Sequence, residues 1–260
     1  MLVFPQLVTG ASALYPVLKR RVKRTAVNVL GDGSKDVFSD TDAALIAWEM
    51  RATGLTAAEW RAIESLFLQT SGMWQTFTFL DPTGNLLANS EQLSASPWTH
   101  GALVQLTAGV ADPLGTLRAT TIVNAGQTTD GVSQTLAVPG NFQYCVSAWV
   151  RSSAGSSVTL VVGAGSQAFP ASAVWKRVSF TANAASSAST VTFALHLAAG
   201  AAADIFGLQV EAQPGPSDYQ TTGAGGGVYS NARFASDRLT VRAQGTDVYD
   251  AVIRIVSREN

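Results

Sequence analysis

The chain has few of the residues that catalytic and metal-binding sites usually need. Its 260 residues include one cysteine, Cys145, and two histidines, His100 and His196, that lie far apart in the sequence. An intrachain disulfide and a cysteine-based zinc site are therefore excluded. There is no Gly-x-Ser-x-Gly sequence, and the glycines at 225–227 are not followed by the Lys-Ser/Thr of a phosphate loop. We therefore expect a protein that is not an enzyme and has no cofactor.

Net charge and long apolar runs are also lacking. The formal net charge is −1 at pH 7, which gives no general attraction to nucleic acid or to anionic membranes. No run approaches the ~20 apolar residues of a membrane span, and the N-terminus lacks the basic start of a signal peptide. We expect a soluble protein, made in the cytoplasm, with no nucleic acid partner and no membrane insertion. One basic cluster, residues 19–24, suits either a charge-guarded edge strand or contact with an acidic partner.

Charged residues are unevenly distributed along the chain. Residues 1–83 and 223–260 carry 25 charged side chains in 121 residues, whereas residues 84–222 carry 10 in 139. The change follows Asp81-Pro82-Thr83-Gly84, a typical turn sequence. We interpret it as a boundary between a discontinuous domain, residues 1–83 and 223–260, and a domain inserted into it, residues 84–222.

The charge-rich ends predict an α+β domain, a β-sheet with one helix. Residues 1–24 are expected to be irregular. A helix is predicted over 56–71, because Thr56 and Glu59 have the spacing of a capping box and Gly72 can end the helix. Period-two alternation predicts strands over 25–30, 43–53, 74–80, 228–234, 238–243 and 248–256.

The charge-poor middle predicts an antiparallel β-sandwich. Its apolar segments are short, are separated by Gly, Asn or Ser, and show no helical period. Eight strands are expected, over 102–107, 117–123, 132–138, 142–151, 157–162, 175–181, 190–197 and 205–211. The fold class is therefore mainly β.

Several motifs in the middle segment resemble the jelly-roll, carbohydrate-binding-type modules of tailed-phage structural proteins. They are Asn85-Leu-Leu-Ala-Asn-Ser-Glu91, Trp98, Asp112-Pro-Leu-Gly-Thr116, Tyr144-Cys-Val-Ser-Ala-Trp-Val150, Trp175-Lys-Arg-Val-Ser179, Gly207-Leu-Gln-Val-Glu211 and Asp218-Tyr-Gln-Thr221. The flanks resemble phage distal tail, or baseplate hub, proteins through Arg24-Thr-Ala-Val-Asn-Val, Leu55-Thr-Ala-Ala-Glu-Trp, Phe77-Thr-Phe-Leu-Asp-Pro82 and Asn231-Ala-Arg-Phe234. The resemblance implies a ring-forming domain that carries a galactose-binding-like module.

The candidate binding residues lie on one strand of the middle segment. Alternation places Tyr144, Val146, Ala148 and Val150 toward the core, and Cys145, Ser147, Trp149 and Arg151 on the other face. Trp149 beside Arg151 is therefore the candidate carbohydrate site, unless that face is covered. Trp98 and Trp175 match tryptophans that the resemblance implies are structural, and Tyr219 is expected to hold the exit strand.

A structural calcium ion is the one metal that the resemblance suggests. Glu91, Asp204 and Glu211 are the acidic residues near the two ends of the module that could supply oxygen ligands. Their spacing is not that of a calcium loop, so isolated surface carboxylates are the alternative interpretation.

The resulting hypothesis is a structural protein of a phage tail tip or baseplate. It would form a homo-oligomeric ring, contact other tail proteins such as tube, hub and fibres, reside in the virion, and display the sandwich, with host surface glycans as a candidate ligand. The alternatives are a stand-alone saccharide-binding adhesin module and a hydrolase acting on cell-envelope polymer.

Overall fold

Antiparallel sheets dominate the fold. A computed structural model describes residues 1–185 and 187–259, except for the side chains of residues 41 and 42. The elements in this part of the chain are β1 (Val17–Val29), β2 (Lys35–Leu55), α1 (Ala57–Gln69), β3 (Phe77–Leu80), β4 (Thr99–His100), β5 (Val104–Val110), β6 (Ala119–Asn124), β7 (Asp130–Leu136), β8 (Gln143–Arg151), β9 (Ser157–Val162), β10 (Gly165–Pro170), β11 (Lys176–Asn183), β12 (Val191–Leu197), β13 (Ala202–Glu211), β14 (Val228–Phe234), β15 (Val241–Gly245) and β16 (Val248–Arg258). The mainly β prediction is confirmed. None of the described helices is long and apolar enough to cross a bilayer.

The chain divides into two compact units. The flanking unit comprises residues 1–7, 13–79 and 229–260, and the sandwich unit comprises residues 8–12 and 80–228. In the flanking unit, one sheet has the strand order β1-β2-β16-β14-β3, and β15 pairs with β16. Strand β16 runs antiparallel to β2 from Tyr249, opposite Leu55, to Arg258, opposite Leu45. The last strand of the chain is thus hydrogen-bonded to the second.

Aromatic side chains from distant segments form the core of the flanking unit. The Trp48 side chain of β2 is 1% exposed. Its ring centroid lies 4.9 Å from that of Phe79 and 4.8 Å from that of Tyr229. Helix α1 adds the buried side chains of Trp60, Ile63 and Leu66. Because these residues come from separate stretches of sequence, the core closes only when those stretches fold together.

A capping box starts α1, as the sequence predicts. The Thr56 hydroxyl accepts the Glu59 backbone N–H at 3.2 Å, and the Glu59 carboxylate accepts the Thr56 backbone N–H at 2.9 Å. We expect Thr56→Ala to lower the free energy of unfolding by about 1 kcal/mol, since an N-terminal donor then loses its acceptor. Urea denaturation measures this, and Thr56→Ser, which keeps the hydroxyl, should remain near wild type. Equal stability of all three proteins would contradict the prediction.

Two predictions about the flanking unit are wrong. Residues 17–24, part of the segment expected to be irregular, belong to β1, which pairs with β2 from Val17 to Val29. Strand β1 lies at the edge of its sheet, in accord with the edge-strand interpretation of the basic cluster at residues 19–24. Charged side chains at successive positions hide the alternation there, because both faces of an exposed ribbon can be polar. The predicted strand over 74–80 begins only at Phe77. Trp74 lies in a turn after α1, where the Asp237 carboxylate accepts the Met73 backbone N–H at 2.8 Å.

The sandwich unit consists of two five-stranded sheets, with strand orders β10-β9-β12-β7-β4 and β11-β8-β13-β6-β5. All eight predicted strands are present. The sequence missed β4 and β10, which are short or poor in large apolar residues. Tyr144, fully buried, packs at 5.2 Å against the ring of Phe193 from the opposite sheet and donates its hydroxyl to the Pro139 carbonyl. The predicted core-facing residues of β8 are all buried.

The two ends of the sandwich unit meet at a buried asparagine. The side chain of Asn85 accepts the backbone N–H groups of Leu87 and Val210 and donates to the Leu208 carbonyl. The exit segment passes close by, since Gly227 donates its N–H to the Asn85 carbonyl at 2.9 Å. A Cβ at the neighbouring Gly226 would lie 2.2 Å from the Leu86 carbonyl oxygen. Glycine is therefore required where the first and last segments of the sandwich unit cross.

Candidate functional site

An apolar groove of the sandwich unit lies on the outward face of the sheet that contains β8, β11 and β13. Its volume is about 930 Å³. Four aromatic residues contribute to its wall. The lining residues are Pro113, Leu114, Arg118, Trp149, Ala173, Val174, Trp175, Arg177, Phe206, Asp218 and Tyr219. Pockets of this size that combine apolar walls with a few polar groups are typical ligand sites.

Strand pairing brings the floor of the groove together. Trp149 of β8 lies opposite Arg177 of β11 on one side and opposite Phe206 of β13 on the other. Side chains at paired positions on adjacent strands share a face of the sheet. Trp175, immediately before β11, adds a second indole to the same groove. The floor is thus set by the register of three strands that are distant in sequence.

An irregularity in β13 lets the Tyr219 and Trp149 rings lie close to the backbone at the side of the groove. The pairing register of β13 with β8 shifts between Phe206 and Gln209, as in a β-bulge. Gly207 within it has φ +64°, and a Cβ there would lie 3.3 Å from the Tyr219 ring and 3.4 Å from the Trp149 ring. Glycine both tolerates this φ and allows the two rings to approach the backbone.

The exit segment supplies Tyr219, whose ring centroid lies 5.2 Å from that of Phe206 in an edge-to-face arrangement. The Tyr219 hydroxyl is 2.8 Å from the Ser90 hydroxyl. Burial raises the pKa of Tyr219 to about 12, so the phenol is neutral at physiological pH. The segment after β13 is thereby held against the sheet, as the sequence predicts for Tyr219.

An arginine packs over the aromatic wall and is fixed by two carboxylates. The Arg118 guanidinium lies 4.9 Å from the Phe206 ring centroid, a cation–π geometry. Its nitrogens lie 3.2 Å from the Glu91 carboxylate and 3.1 Å from that of Asp112. Burial raises the pKa of Asp112, but hydrogen bonds from Thr116, Leu114 and Arg118 outweigh it and hold that pKa below its ordinary value. Arg118 is therefore a preformed, charged part of the wall.

Two other donors at the groove lack partners. Trp175 Nε1 and Arg177 Nε are both buried and have no hydrogen-bond acceptor among residues 1–185 and 187–259. Arg177 donates from a terminal nitrogen to the Ser147 hydroxyl at 3.1 Å, and no described carboxylate lies within ion-pair distance of it. An unsatisfied buried donor costs roughly 1–3 kcal/mol. Both nitrogens are shielded from solvent, so an acceptor in the groove reaches them only when the side chains move.

The structure separates the two predicted carbohydrate-binding residues. Trp149 lines the aromatic groove. Arg151 does not line it, because its guanidinium pairs with the Asp204 carboxylate at 2.7 Å and stacks 4.6 Å from the Trp175 ring centroid. Arg151 thus supports the position of Trp175 from behind. Cys145 and Ser147, expected on the open face, are both buried.

The three candidate calcium ligands are held by different partners. Glu91 pairs with Arg118, Asp204 pairs with Arg151, and Glu211 accepts hydrogen bonds from Ser217 and Gln213. Over residues 1–185 and 187–259, no group of three or more His, Cys, Asp or Glu side chains could hold a metal ion. Glu91 and Asp204 therefore form ion pairs, and Glu211, the last residue of β13, binds the turn that follows it.

Sequence reasoning missed most of the groove. The resemblance implies a structural role for Trp175, and the sequence does not indicate Phe206, Arg177 or Asp218 as site residues. Trp98, by contrast, is buried and donates its indole N–H to the Asn89 carbonyl at 2.9 Å, in accord with an anchoring role. One sequence feature could have indicated Arg177 as a groove residue, namely its predicted position on the outward face of a strand in the same sheet as Trp149.

No family model and no curated protein matches this chain. Among solved structures, the CBM22-1 xylan-binding domain of Paenibacillus barcinonensis Xyn10C is 17% identical, with a TM-score of 0.41 over 50% of this chain and 97% of that one. The CBM22-1–GH10 modules of Clostridium thermocellum xylanase 10B, complexed with xylohexaose, are 16% identical, with a TM-score of 0.38 over 49% of this chain and 27% of that one. The enzymatically active domain of bacteriophage CBA120 tailspike protein 4 is 13% identical, with a TM-score of 0.39 over 51% of this chain and 22% of that one. Likenesses this low carry no argument about ligand or role.

Proposed function

We propose that the protein binds saccharide chains in the aromatic groove of the sandwich unit. The observation that carries this proposal is the groove's combination of two indole rings, Trp149 and Trp175, with unpartnered N–H donors on Trp175 and Arg177. A pyranose ring has apolar C–H faces that can stack on an aromatic ring, and its rim of hydroxyl groups needs hydrogen-bond partners. The groove supplies both kinds of contact in one place.

The polar groups at the groove suit hydroxyl recognition. Arg177 can donate to a sugar oxygen, and the exposed Asp218 carboxylate can accept from a sugar hydroxyl. Arg118 pairs with two carboxylates, Glu91 and Asp112, and the three groups together carry a net charge of −1. The other charges that line the groove, Arg177 and Asp218, balance each other, so the groove favours a neutral saccharide over a strongly anionic one.

The same residues support binding without turnover. Glycoside hydrolysis ordinarily uses two carboxyl groups that flank the scissile bond. Among the described residues that line the groove, Asp218 alone carries a carboxyl group. We therefore propose recognition of a glycan, with host surface polysaccharide as the ligand class, and no hydrolysis and no cofactor.

A glycan array probed with the labelled full chain tests this proposal. The expected result is retention on one or a few neutral polysaccharides, followed by saturable binding of the matching oligosaccharide in isothermal titration calorimetry. Absence of binding to every glycan at millimolar concentration would refute saccharide recognition. Release of reducing ends from a bound polysaccharide would refute binding without turnover.

We infer a second, structural role, self-assembly of the flanking unit into a ring within a phage tail tip. The supporting observation is the outer part of the β1–β2 hairpin, where residues 21–39 are all exposed. Val27 lies opposite Val37 on one face, and Ala26 lies opposite Phe38 on the other. Val37 and Phe38 are 62% and 60% exposed. A two-stranded ribbon is marginally stable alone, so the exposed apolar side chains near its outer end suit a surface on a second copy of the chain.

We expect the double substitution Val37→Asp and Phe38→Asp to prevent this assembly, because it places a charge on each face of the ribbon. Size-exclusion chromatography with light scattering and negative-stain microscopy should show closed oligomers of the wild type and a monomeric variant. Leu68→Asp, an equally drastic change at a side chain of α1 that is 69% exposed, should assemble normally. A wild type that stays monomeric at high concentration, or a variant that assembles fully, would contradict the ring and the virion location with it.

A further inference from the structure

The outward face of the flanking sheet carries an unusual concentration of arginine. Along β16, Ala251, Ile253 and Ile255 are buried, so the alternate residues Val252 and Arg254 point outward. Arg51 of β2 lies opposite Val252 and shares that face. Arg242 of β15 and Arg238 before it complete the set. We name these four exposed residues, Arg51, Arg238, Arg242 and Arg254, the arginine face. They line a groove of about 530 Å³.

The carboxylates nearby do not balance these charges. Glu49 is shared, since its carboxylate lies 2.9 Å from Arg254 and 3.6 Å from Arg51. Asp250, opposite Arg242, already accepts the Gly54 backbone N–H at 2.9 Å and the Gln244 side-chain amide at 2.6 Å. In the described part of the chain, neither Arg238 nor Arg242 has a carboxylate within 4 Å. The groove therefore has an excess of positive charge, although the whole chain has a net charge of −1.

A free strand edge runs beside Arg238 and Arg242. Among the strands that the structure describes, β15 pairs with β16 alone, and all five of its residues are exposed. The other edge presents unpaired backbone N–H and C=O groups over roughly 16 Å, at about 3.3 Å per residue. An extended peptide can add to such an edge through main-chain hydrogen bonds. Free phosphate and nucleic acid have no complementary backbone pattern, so the strand edge favours a polypeptide partner.

Exposed apolar residues on both faces of the sheet fit the same kind of partner. Val252 lines the groove and is 42% exposed, and Val241, on the opposite face of β15 from Arg242, is 36% exposed. An extended chain places alternate side chains on opposite faces, so a segment with alternating acidic and aliphatic residues can meet arginines and valines in turn. Arginine pairs with carboxylates through two parallel hydrogen bonds, which gives the contact a defined register.

We propose that the arginine face binds an extended acidic segment of another polypeptide. The segment adds to the free edge of β15, and its carboxylates pair with Arg238 and Arg242. This site belongs to the flanking unit and is independent of saccharide binding in the groove of the sandwich unit.

The test is the binding of a fluorescein-labelled peptide of seven alternating Glu and Val residues to the full chain, measured by fluorescence anisotropy at low salt. A control peptide with Gln in place of Glu should bind the wild-type protein at least about tenfold more weakly. The acidic peptide should bind the double variant Arg238→Gln and Arg242→Gln more weakly by a similar factor. In both cases charge-assisted hydrogen bonds are lost. Arg61→Gln, which removes an exposed arginine from α1, should bind the acidic peptide like wild type. Circular dichroism checks that every variant is folded.

Three results would overturn the proposal. The first is no saturable binding of the acidic peptide to the wild type. The second is equal loss of binding in Arg61→Gln and in the double variant, which would indicate a general charge effect. The third is tighter binding of polyphosphate or duplex DNA than of the acidic peptide, with the same dependence on Arg238 and Arg242. Unchanged glycan binding in the double variant distinguishes failure at this site from failure of the saccharide proposal.

Discussion

Replacing Trp48 with alanine is expected to lower the free energy of unfolding of the flanking unit by about 3–5 kcal/mol. The side chain is 1% exposed and lies between the rings of Phe79 and Tyr229, which come from β3 and β14. Its removal leaves a cavity where three segments of the chain meet, and the surrounding strands cannot collapse to fill it without breaking the sheet. A loss of this size is a large fraction of the stability of an ordinary domain.

Urea denaturation and amide hydrogen exchange of β2 and β16 measure this effect. Trp74→Ala is the matched control, because the same side chain there is 70% exposed and surface substitutions usually change stability by less than about 0.5 kcal/mol. We expect the amide hydrogens of both β2 and β16 to exchange faster in Trp48→Ala than in the wild type, and to exchange at wild-type rates in Trp74→Ala. If exchange rises in β2 but not in β16, the two ends of the chain do not share one cooperative core.

Replacing Trp175 with alanine is expected to weaken saccharide binding by about 30-fold, which corresponds to the roughly 2 kcal/mol of an aromatic hot spot. Trp175 contributes both an indole face and the unpartnered Nε1 donor. Trp149→Ala removes the second ring and should have a comparable effect. Trp175→Phe keeps a ring but lacks the donor, so we expect a loss between those of wild type and alanine.

Isothermal titration calorimetry with the oligosaccharide selected on the array measures these losses. Trp74→Ala again serves as the control, since it removes an exposed tryptophan from the flanking unit and should leave affinity unchanged. Wild-type affinity in both Trp149→Ala and Trp175→Ala would exclude the aromatic groove as the site, even if the protein binds glycans elsewhere. Wild-type affinity in Trp175→Phe would show that the indole donor takes no part.

Local sequence signals identified α1 and most strands. The Thr56 and Glu59 pair predicts the helix start because a capping box acts within four residues. The eight apolar segments of the sandwich are recognisable because each one alternates or is uniformly apolar by itself. The sequence predicts a strand over residues 25–30, the second half of β1, and leaves residues 19–24 open between an edge strand and a patch that meets an acidic partner. These charged residues carry no clear period, and their strand character depends on pairing with β2.

The candidate site was only partly predictable. Alternation along β8 correctly brought Trp149 to the outward face. It could not show that Cys145 and Ser147 on the same face are buried, or that Arg177 from β11 donates to the Ser147 hydroxyl. It also could not show that Arg151 is neutralised by Asp204, a residue 53 positions later in the chain.

Local patterns in the sequence are enough to establish the kind of protein: mainly β, with a capped helix, a charge-poor middle segment, a lone cysteine and no local catalytic motif. Which side chains meet depends on the folded chain, because the register of β8, β11 and β13 joins Trp149, Arg177 and Phe206 from three separate segments. Periodicity reports the face on which a residue lies, since that depends on its immediate neighbours. The partner across a sheet depends on long-range pairing, and the groove and the arginine face are both built from such partners.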